Sequence, residues 1–452
     1  MSQYSSLKNK LIKGDSIDEL KKLKDNSVDL LCTDPPYGYG FMGKSWDKTL
    51  PPKEIFQESL RVLKPGSFAF VMSAPRSDVQ YRMAQMLEDV GFEIGYTPIY
   101  WTYATGFPKA SNIGKMVDKR LGAKRETTGT RVSAYGDAEL SESNDGRNLW
   151  GKNATNVVEL KNKPASDEAK KLDGSYGGYQ PKPAVEVVIV AMKPLSQKGY
   201  LDQALDNQKG ITWLDDCRIP FAGMNDKEQF DKDNVAGMMN FDEKYERGEG
   251  KMYEGGWEKP MRTSTKSESS PLGRFAANLL VSDDVLNVES KGQLAPTTGN
   301  EPSMNKDMLT HGDYSGHGKA MKPRNDGNSF SRYYSLNAWW NSRLSKLPDE
   351  VKNTFPFLVV PKASKSEKNN GVENNIHPTV KPLNLMSYLV TLGSRKDDVV
   401  LDPFMGSGTT PMACVTLSRN YIGIEREDEY FEIANARVNK LENPLKQLEQ
   451  WI

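Results

Sequence analysis

Asp34-Pro35-Pro36-Tyr37 follows the apolar run Val28-Asp29-Leu30-Leu31. Two consecutive prolines cannot continue a central strand, because neither donates to the ladder. One reading is a strand-terminating turn, since Asp-Pro initiates turns. The other assigns each residue a chemical task. An exocyclic amine of adenine or cytosine is a poor nucleophile, its lone pair being delocalised into the ring. Two acceptors that take its N–H groups favour a more pyramidal nitrogen. The Asp34 carboxylate supplies one acceptor, and the Pro35 carbonyl, aimed by a fixed φ, supplies the other. Tyr37 offers a flat face on which an extruded base stacks.

Almost 370 residues later, the apolar Val399-Val400-Leu401 run ends in Asp402 and a turn, Phe404-Met405-Gly406-Ser407-Gly408-Thr409. A further apolar stretch closes on Glu425, 23 residues after Asp402. Glycines let a backbone approach a ligand closely, and an acid ending the next strand suits ribose hydroxyls. Four readings remain open. A phosphate loop wants Lys where Thr409 stands. A dinucleotide site wants a third glycine. A tight packing turn needs no ligand. A site for S-adenosylmethionine needs room for the methionine part beside the turn and Glu425 for the ribose, with no phosphate and hence no lysine.

The elements that must position these residues are legible as an alternation. Strands are expected over "NKLIKGD", "VDLLCTD", "SFAFVMSA" and "FEIGYTPIYWTY", and helices over "SIDELKKLKDN", "PKEIFQESLRVLKPG" and "SDVQYRMAQMLEDVG". The last block repeats the pattern with helix "PLNLMSYLVTLGS", strand "DDVVLDPF", helix "TTPMACVTLSR", strand "NYIGIE" and a terminal amphipathic helix. "AVEVVIVAMKP" is one more strand, with shorter ordered pieces at "ITWLDDCRIP" and "GRFAANLLVSDDVLN". Strands alternating with helices imply an α/β fold, a mixed and mostly parallel Rossmann-like sheet flanked by helices. The segments 106–182 and 221–371 are instead rich in Gly, Asn, Ser and charge.

Composition narrows the class. Lys plus Arg and Asp plus Glu balance at 60 each, so a polyanion must be met by local clustering. Residues 108–200 hold sixteen Lys/Arg against eleven Asp/Glu, with aromatics interleaved. Lys109, Lys115, Lys119, Arg120, Lys124 and Arg125 form the candidate contact element, against the alternative of an ordinary solvated face. Cys32, Cys217 and Cys414 form no CxxC pair, which fits a reducing cytoplasm, and three scattered histidines suggest no metal site. No run approaches 18 apolar residues and the first fifteen residues lack an apolar signal core, so a soluble cytoplasmic protein is expected.

At these residues the sequence resembles the amino-methyltransferases of DNA, which carry [DNS]-P-P-[YFW] and F-x-G-x-G. The order, catalytic corner first and cofactor turn last, is similar to the circularly permuted β class. "DPPYGYGFMGKSWD", "YATGFPKA", "WLDDCRIP" and "GRFAANLL" look like phage- and prophage-type members with long recognition insertions. The resemblance implies S-adenosylmethionine as cofactor and Asp34, Pro35, Pro36 and Tyr37 as the catalytic corner, with adenine-N6 favoured over cytosine-N4 by the aspartate. It implies cofactor contacts from Asp15, Asp34, Asp402, Phe404, Gly406, Ser407, Gly408, Thr409 and Glu425. From "IHPTVKPLNLMSYLV" it adds His377, Thr379 and Lys381 near the methionine end. Gly38 departs from the Asn of many members. The division expected is a catalytic half at 1–105, a basic insertion at 106–182, a core strand at 183–194, a target-recognition region at 195–371 and a cofactor half at 372–452. Double-stranded DNA with base flipping is the expected partner, a separate restriction endonuclease a candidate one. An RNA or cytosine-N4 methyltransferase and a catalytically silent DNA-binding protein are the alternatives.

Overall fold

The structure, a computed structural model, describes residues 8–38, 47–102, 110–126, 129–132, 157–160, 163–179, 185–221, 223–234, 269–281, 334–345 and 380–449. They fall into two compact units, 1–104 with 185–452, and 105–184.

The first part of the larger unit runs β1 (Lys10–Lys13), α1 (Ser16–Leu20), β2 (Leu30–Thr33), α2 (Lys53–Val62), β3 (Phe68–Ser73), α3 (Ser77–Val90) and β4 (Ile99–Thr102). The smaller unit holds α4 (Ile113–Leu121), β5 (Gly129–Val132), β6 (Val157–Leu160) and α5 (Asp167–Lys171). The chain then returns with β7 (Val185–Met192), α6 (Tyr200–Asn207), α7 (Met224–Asn234), β8 (Leu279–Val281), α8 (Leu336–Leu344), α9 (Leu383–Gly393), β9 (Val399–Asp402), α10 (Thr409–Thr416), β10 (Asn420–Glu425) and α11 (Asp428–Glu449).

Eight strands form one sheet in the order β1-β10-β9-β2-β3-β7-β4-β8. Pairing is parallel from β1 through β3, antiparallel on both sides of β7, and parallel again between β4 and β8. The central strands β2, β3 and β9 are buried at every position, which is why they read as continuous apolar runs. The pleat divides them between two cores. Leu30, Cys32, Phe70 and Met72 pack with α8, α9 and α10, whereas Leu31, Ala69 and Val71 pack with α1, α2 and α3.

Three expectations differ from the structure. The helix expected over 16–26 stops at Leu20. The Arg61 guanidinium takes the carbonyls of Leu20 and Leu23, which a longer helix would have used, and Asn26 turns the chain at φ 53°. The long strand of "FEIGYTPIYWTY" is confined to β4 and an isolated bridge at Glu93, because Pro98 has no N–H to donate. Stretches expected to belong to a recognition region are core elements: Cys217, Ile219, Leu280, Leu336, Trp339 and Trp340 lie in the same apolar cluster as Leu30 and Phe70. Their apolar residues are too few and too dispersed to show a period, yet each is buried by a neighbour distant in sequence. Within 195–371, residue 222 and the stretches 235–268, 282–333 and 346–371 lie outside the described residues.

Candidate active site

β2 and β9 are parallel neighbours, and the chain leaves them in opposite directions, β9 towards β10 and β1, β2 towards β3. In an open α/β sheet the crevice at such a switch point, beyond the carboxyl ends of the strands, is where ligands bind. The two motifs leave from those ends. Asp34 follows β2 directly, Asp402 ends β9, and the Thr33 hydroxyl donates to Asp402 Oδ1 at 2.6 Å.

On the β2 side the corner is held from several directions. Asp34 Oδ1 accepts from the Tyr37 hydroxyl at 2.7 Å, and Oδ2 accepts from Lys381 Nζ at 2.6 Å. Lys381 stands just before α9, with its Nζ 5.7 Å from the Tyr37 ring centroid. The backbone N–H groups of Tyr37 and Gly38 both donate to Asp47 Oδ1, at 2.8 and 2.9 Å. Pro35 is buried, and Asp34, Pro36 and Tyr37 are half-buried. Burial alone would lower the Lys381 ammonium, but Asp34 and the Glu186 carboxylate outweigh it and hold it above the usual lysine range.

On the β9 side the glycine turn is braced by its own strand neighbours. Gly406 and Gly408 adopt φ of 53° and 82°, the left-handed region that glycine enters without a Cβ clash. A Cβ on Gly408 would meet Ala434 of α11 at 3.0 Å. Glu425 Oε2 accepts the Gly406 N–H and Oε1 the Glu427 N–H, both at 2.8 Å. Burial raises the Glu425 carboxyl above its ordinary value despite these bonds. Asp402 also accepts the Phe404 N–H at 3.1 Å, and burial pushes its carboxyl up to about 6 against that bond and those from Thr33 and Thr410. Ser16 Oγ donates to the Pro403 carbonyl at 2.6 Å, while fully buried Arg437 donates to the Ser407 carbonyl and hydroxyl. Asp15 caps α1 by accepting the Ile17 N–H at 2.9 Å, and Gly14 N–H donates to the Glu425 carbonyl.

Asp34, Tyr37 and Lys381 therefore form one cluster, and Asp15, Asp402, Phe404, Gly406, Ser407, Gly408, Thr409 and Glu425 lie on the strand ends and turn beside it. His377, Thr379 and Lys109 lie outside the described residues. In the smaller unit Lys115, Lys119, Arg120 and Lys124 are exposed on and just after α4. Arg125 is not: its Nε donates to Asp118 Oδ2 at 2.6 Å and its side chain is 8% exposed. That guanidinium closes α4 against the segment carrying Ser166, which also binds Asp118. Thr33, Asp47, Glu186 and Arg437 were not singled out in the sequence. Glu186 had a signal, a lone carboxylate in the apolar run of β7; the others had none. Among the described residues no group of His, Cys, Asp or Glu is arranged to hold a metal ion, and no helix is long and apolar enough to cross a membrane.

Comparison with known proteins meets this geometry from outside. The DNA methylase family profile matches residues 205–436, just over half of the chain. The chain belongs to the DNA methylase family. The match includes the glycine turn and Glu425, while the Asp34 corner lies before it. The type II methyltransferase M2.MboI of Moraxella bovis is 37% identical over 139 residues, covering 28% of this chain and 50% of that protein. M.HinfI of Haemophilus influenzae is 46% identical over 69 residues, covering 15% and 19%. M2.LlaDCHI of Lactococcus lactis subsp. cremoris is 43% identical over 110 residues, covering 24% and 38%. The chain thus spans half or less of the length of these curated relatives. Among solved structures, M1.HpyAVI aligns over 95% of this chain and 98% of its own at 14% identity with a TM-score of 0.36, a likeness too slight to carry an argument.

Proposed function

We propose that the chain is a site-specific DNA methyltransferase that moves a methyl group from S-adenosylmethionine to the N6 amine of a flipped-out adenine. The observation that carries this reading is the placement of Asp34 and the Gly406–Gly408 turn at the carboxyl ends of adjacent parallel strands, tied by the Thr33–Asp402 hydrogen bond.

The residues present fit the cofactor. The turn offers a backbone free of Cβ atoms at Gly406 and Gly408, with no lysine awaiting a phosphate. Glu425 ends β10 beside it, its carboxylate keeping acceptor capacity beyond its backbone bonds. When bound, S-adenosylmethionine supplies an electrophilic methyl group on a sulfonium. Asp402 holds the start of the turn, Glu425 its middle and Arg437 its end. Lys381 joins the cofactor region to the corner, and on the family resemblance His377 and Thr379 would contribute near the methionine end.

Asp34 and the Pro35 carbonyl accept the two N–H bonds of the target amine and leave its lone pair free for attack. Asp47, by taking the Tyr37 and Gly38 N–H groups, fixes the backbone from which both acceptors project. Lys381 stands over one face of Tyr37, so a base stacks on the other. Catalysis here is mainly positioning and electrostatics. A base inside a duplex cannot reach the corner, so it must leave the stack. Lys115, Lys119, Arg120 and Lys124 are the phosphate contacts of this reading. A separate restriction endonuclease is the natural partner, on the likeness to type II methyltransferases.

Asp34→Ala tests the assignment. The variant, which removes the acceptor, should lose at least about 100-fold in transfer, the scale set by a lost preorganised polar group, while S-adenosylmethionine still binds by calorimetry. Digestion of the methylated DNA to nucleosides identifies the base: N6-methyladenine is expected. Undiminished transfer by Asp34→Ala refutes the catalytic role, and N4-methylcytosine refutes the base.

A further inference from the structure

Glu186, on β7, is a carboxylate with no task in the sheet. Its strand neighbours Val187 to Met192 are apolar and buried, and its side chain is about one-fifth exposed while Oε2 itself is closed off from solvent. Among the described residues Oε2 accepts no aligned hydrogen bond; its nearest cation is Lys381 Nζ, at 3.3 Å. An ion pair without an aligned hydrogen bond recovers only part of what burying a carboxylate oxygen costs, and calls for an explanation. The same ammonium bonds Asp34 Oδ2 at 2.6 Å. One cation thus stands between two carboxylates, hydrogen-bonded to the first and ion-paired at longer distance with the second.

This asymmetry bears on the methyl-transfer reading, on which the inference rests. In the resting arrangement each Asp34 oxygen already accepts one hydrogen bond, Oδ1 from Tyr37 and Oδ2 from Lys381. An arriving amine that donates to Asp34 shares its oxygens with Lys381, whose three donors then draw on another acceptor, its side chain being 9% exposed. We propose that Glu186 is a positioning residue that receives Lys381 when the target amine engages Asp34, so that the catalytic carboxylate is released without leaving a buried ammonium unpaired. The groups facing Lys381 are Asp34 and Tyr37 from the β2 corner and Glu186 from β7. Burial raises the Glu186 carboxyl, with the Lys381 ammonium opposing it, Asp34 adding to the rise, and hydrogen bonding from Lys381 and Tyr37 favouring the charged form.

The test compares wild type, Glu186→Gln and Glu186→Asp in methyl transfer to DNA across pH, with S-adenosylmethionine binding measured alongside. Glu186→Gln should lower kcat roughly tenfold or more, the scale of a misplaced reacting group, with cofactor affinity within about twofold. Loss of one neighbouring carboxylate lets burial pull the Lys381 ammonium down, so the alkaline limb of the rate profile should move to lower pH by about one unit or more. Glu186→Asp keeps the charge and should restore most of that limb. If Glu186→Gln fails to bind the cofactor, Glu186→Asp carries the test: reduced kcat with an unmoved limb supports the role, and unchanged kcat overturns it. Wild-type transfer with an unmoved Glu186→Gln profile refutes the Glu186 role alone. Absence of transfer by the wild-type chain refutes the methyl-transfer reading and this role with it.

Discussion

Asp402 is 3% exposed, and burial pushes its carboxyl from the ordinary 3.8 up to about 6 even though Thr33, Thr410 and the Phe404 N–H all favour the charged form. Between those two values the folded chain binds more protons than the unfolded chain. Stability therefore falls as pH rises through that window, and the full penalty is present above it. Roughly two units at 1.36 kcal/mol each give about 3 kcal/mol. Asp402→Asn keeps an acceptor for the Thr33 hydroxyl and the Phe404 N–H and removes the charge. Its unfolding free energy in urea, minus that of the wild type, should be near zero at about pH 4 and climb to about 3 kcal/mol by about pH 7, then stay flat. Differencing the two proteins removes every other titrating group they share. The same variant should bind S-adenosylmethionine more weakly, because a stabilised site is here a less functional one. A difference independent of pH, or a less stable Asn variant at pH 7, would refute the account of Asp402 as a charge buried for the site's use.

Asp29→Asn should act in the opposite sense, at the other end of β2. Asp29 is 3% exposed and meets Lys64 at 2.6 Å, Lys209 at 2.9 Å and the Val399 N–H at 2.9 Å. Burial raises its carboxyl, but Lys209, Lys64 and that N–H outweigh burial and hold it below the usual range. The variant should lose about 3 kcal/mol in denaturant unfolding at neutral pH, a deficit that shrinks on acidification as the wild-type carboxylate is protonated; a deficit unchanged at low pH contradicts the pairing. Gly408→Ala should cost about 1–2 kcal/mol for a left-handed residue and weaken cofactor binding by calorimetry, since its Cβ presses on Ala434. Wild-type affinity in that variant would show that the turn tolerates an L side chain.

The strands that carry the site were legible because burial on both faces demands unbroken apolar runs, as in Leu30–Thr33 and Val399–Asp402. The corner was legible because proline chemistry is local: Pro35 and Pro36 end β2 wherever it folds. The glycine turn was legible for the same reason, a positive φ being a property of one residue. The length of α1 was not legible to the residue, since Arg61, 38 residues from Leu23, captures the helix carbonyls.

The amino-acid order by itself determined the alternating strands and helices, the acid-proline corner, and the pair of glycines with the acid after them. Tertiary structure alone decided that these stand side by side, through Thr33 and Asp402, which are 369 positions apart. It also turned Arg125 inward onto Asp118 and set Lys381 between Asp34 and Glu186. Periodicity and turn chemistry act within a few residues and leave a written pattern. Charge pairs join whatever the fold brings within about 4 Å, and no local pattern records them.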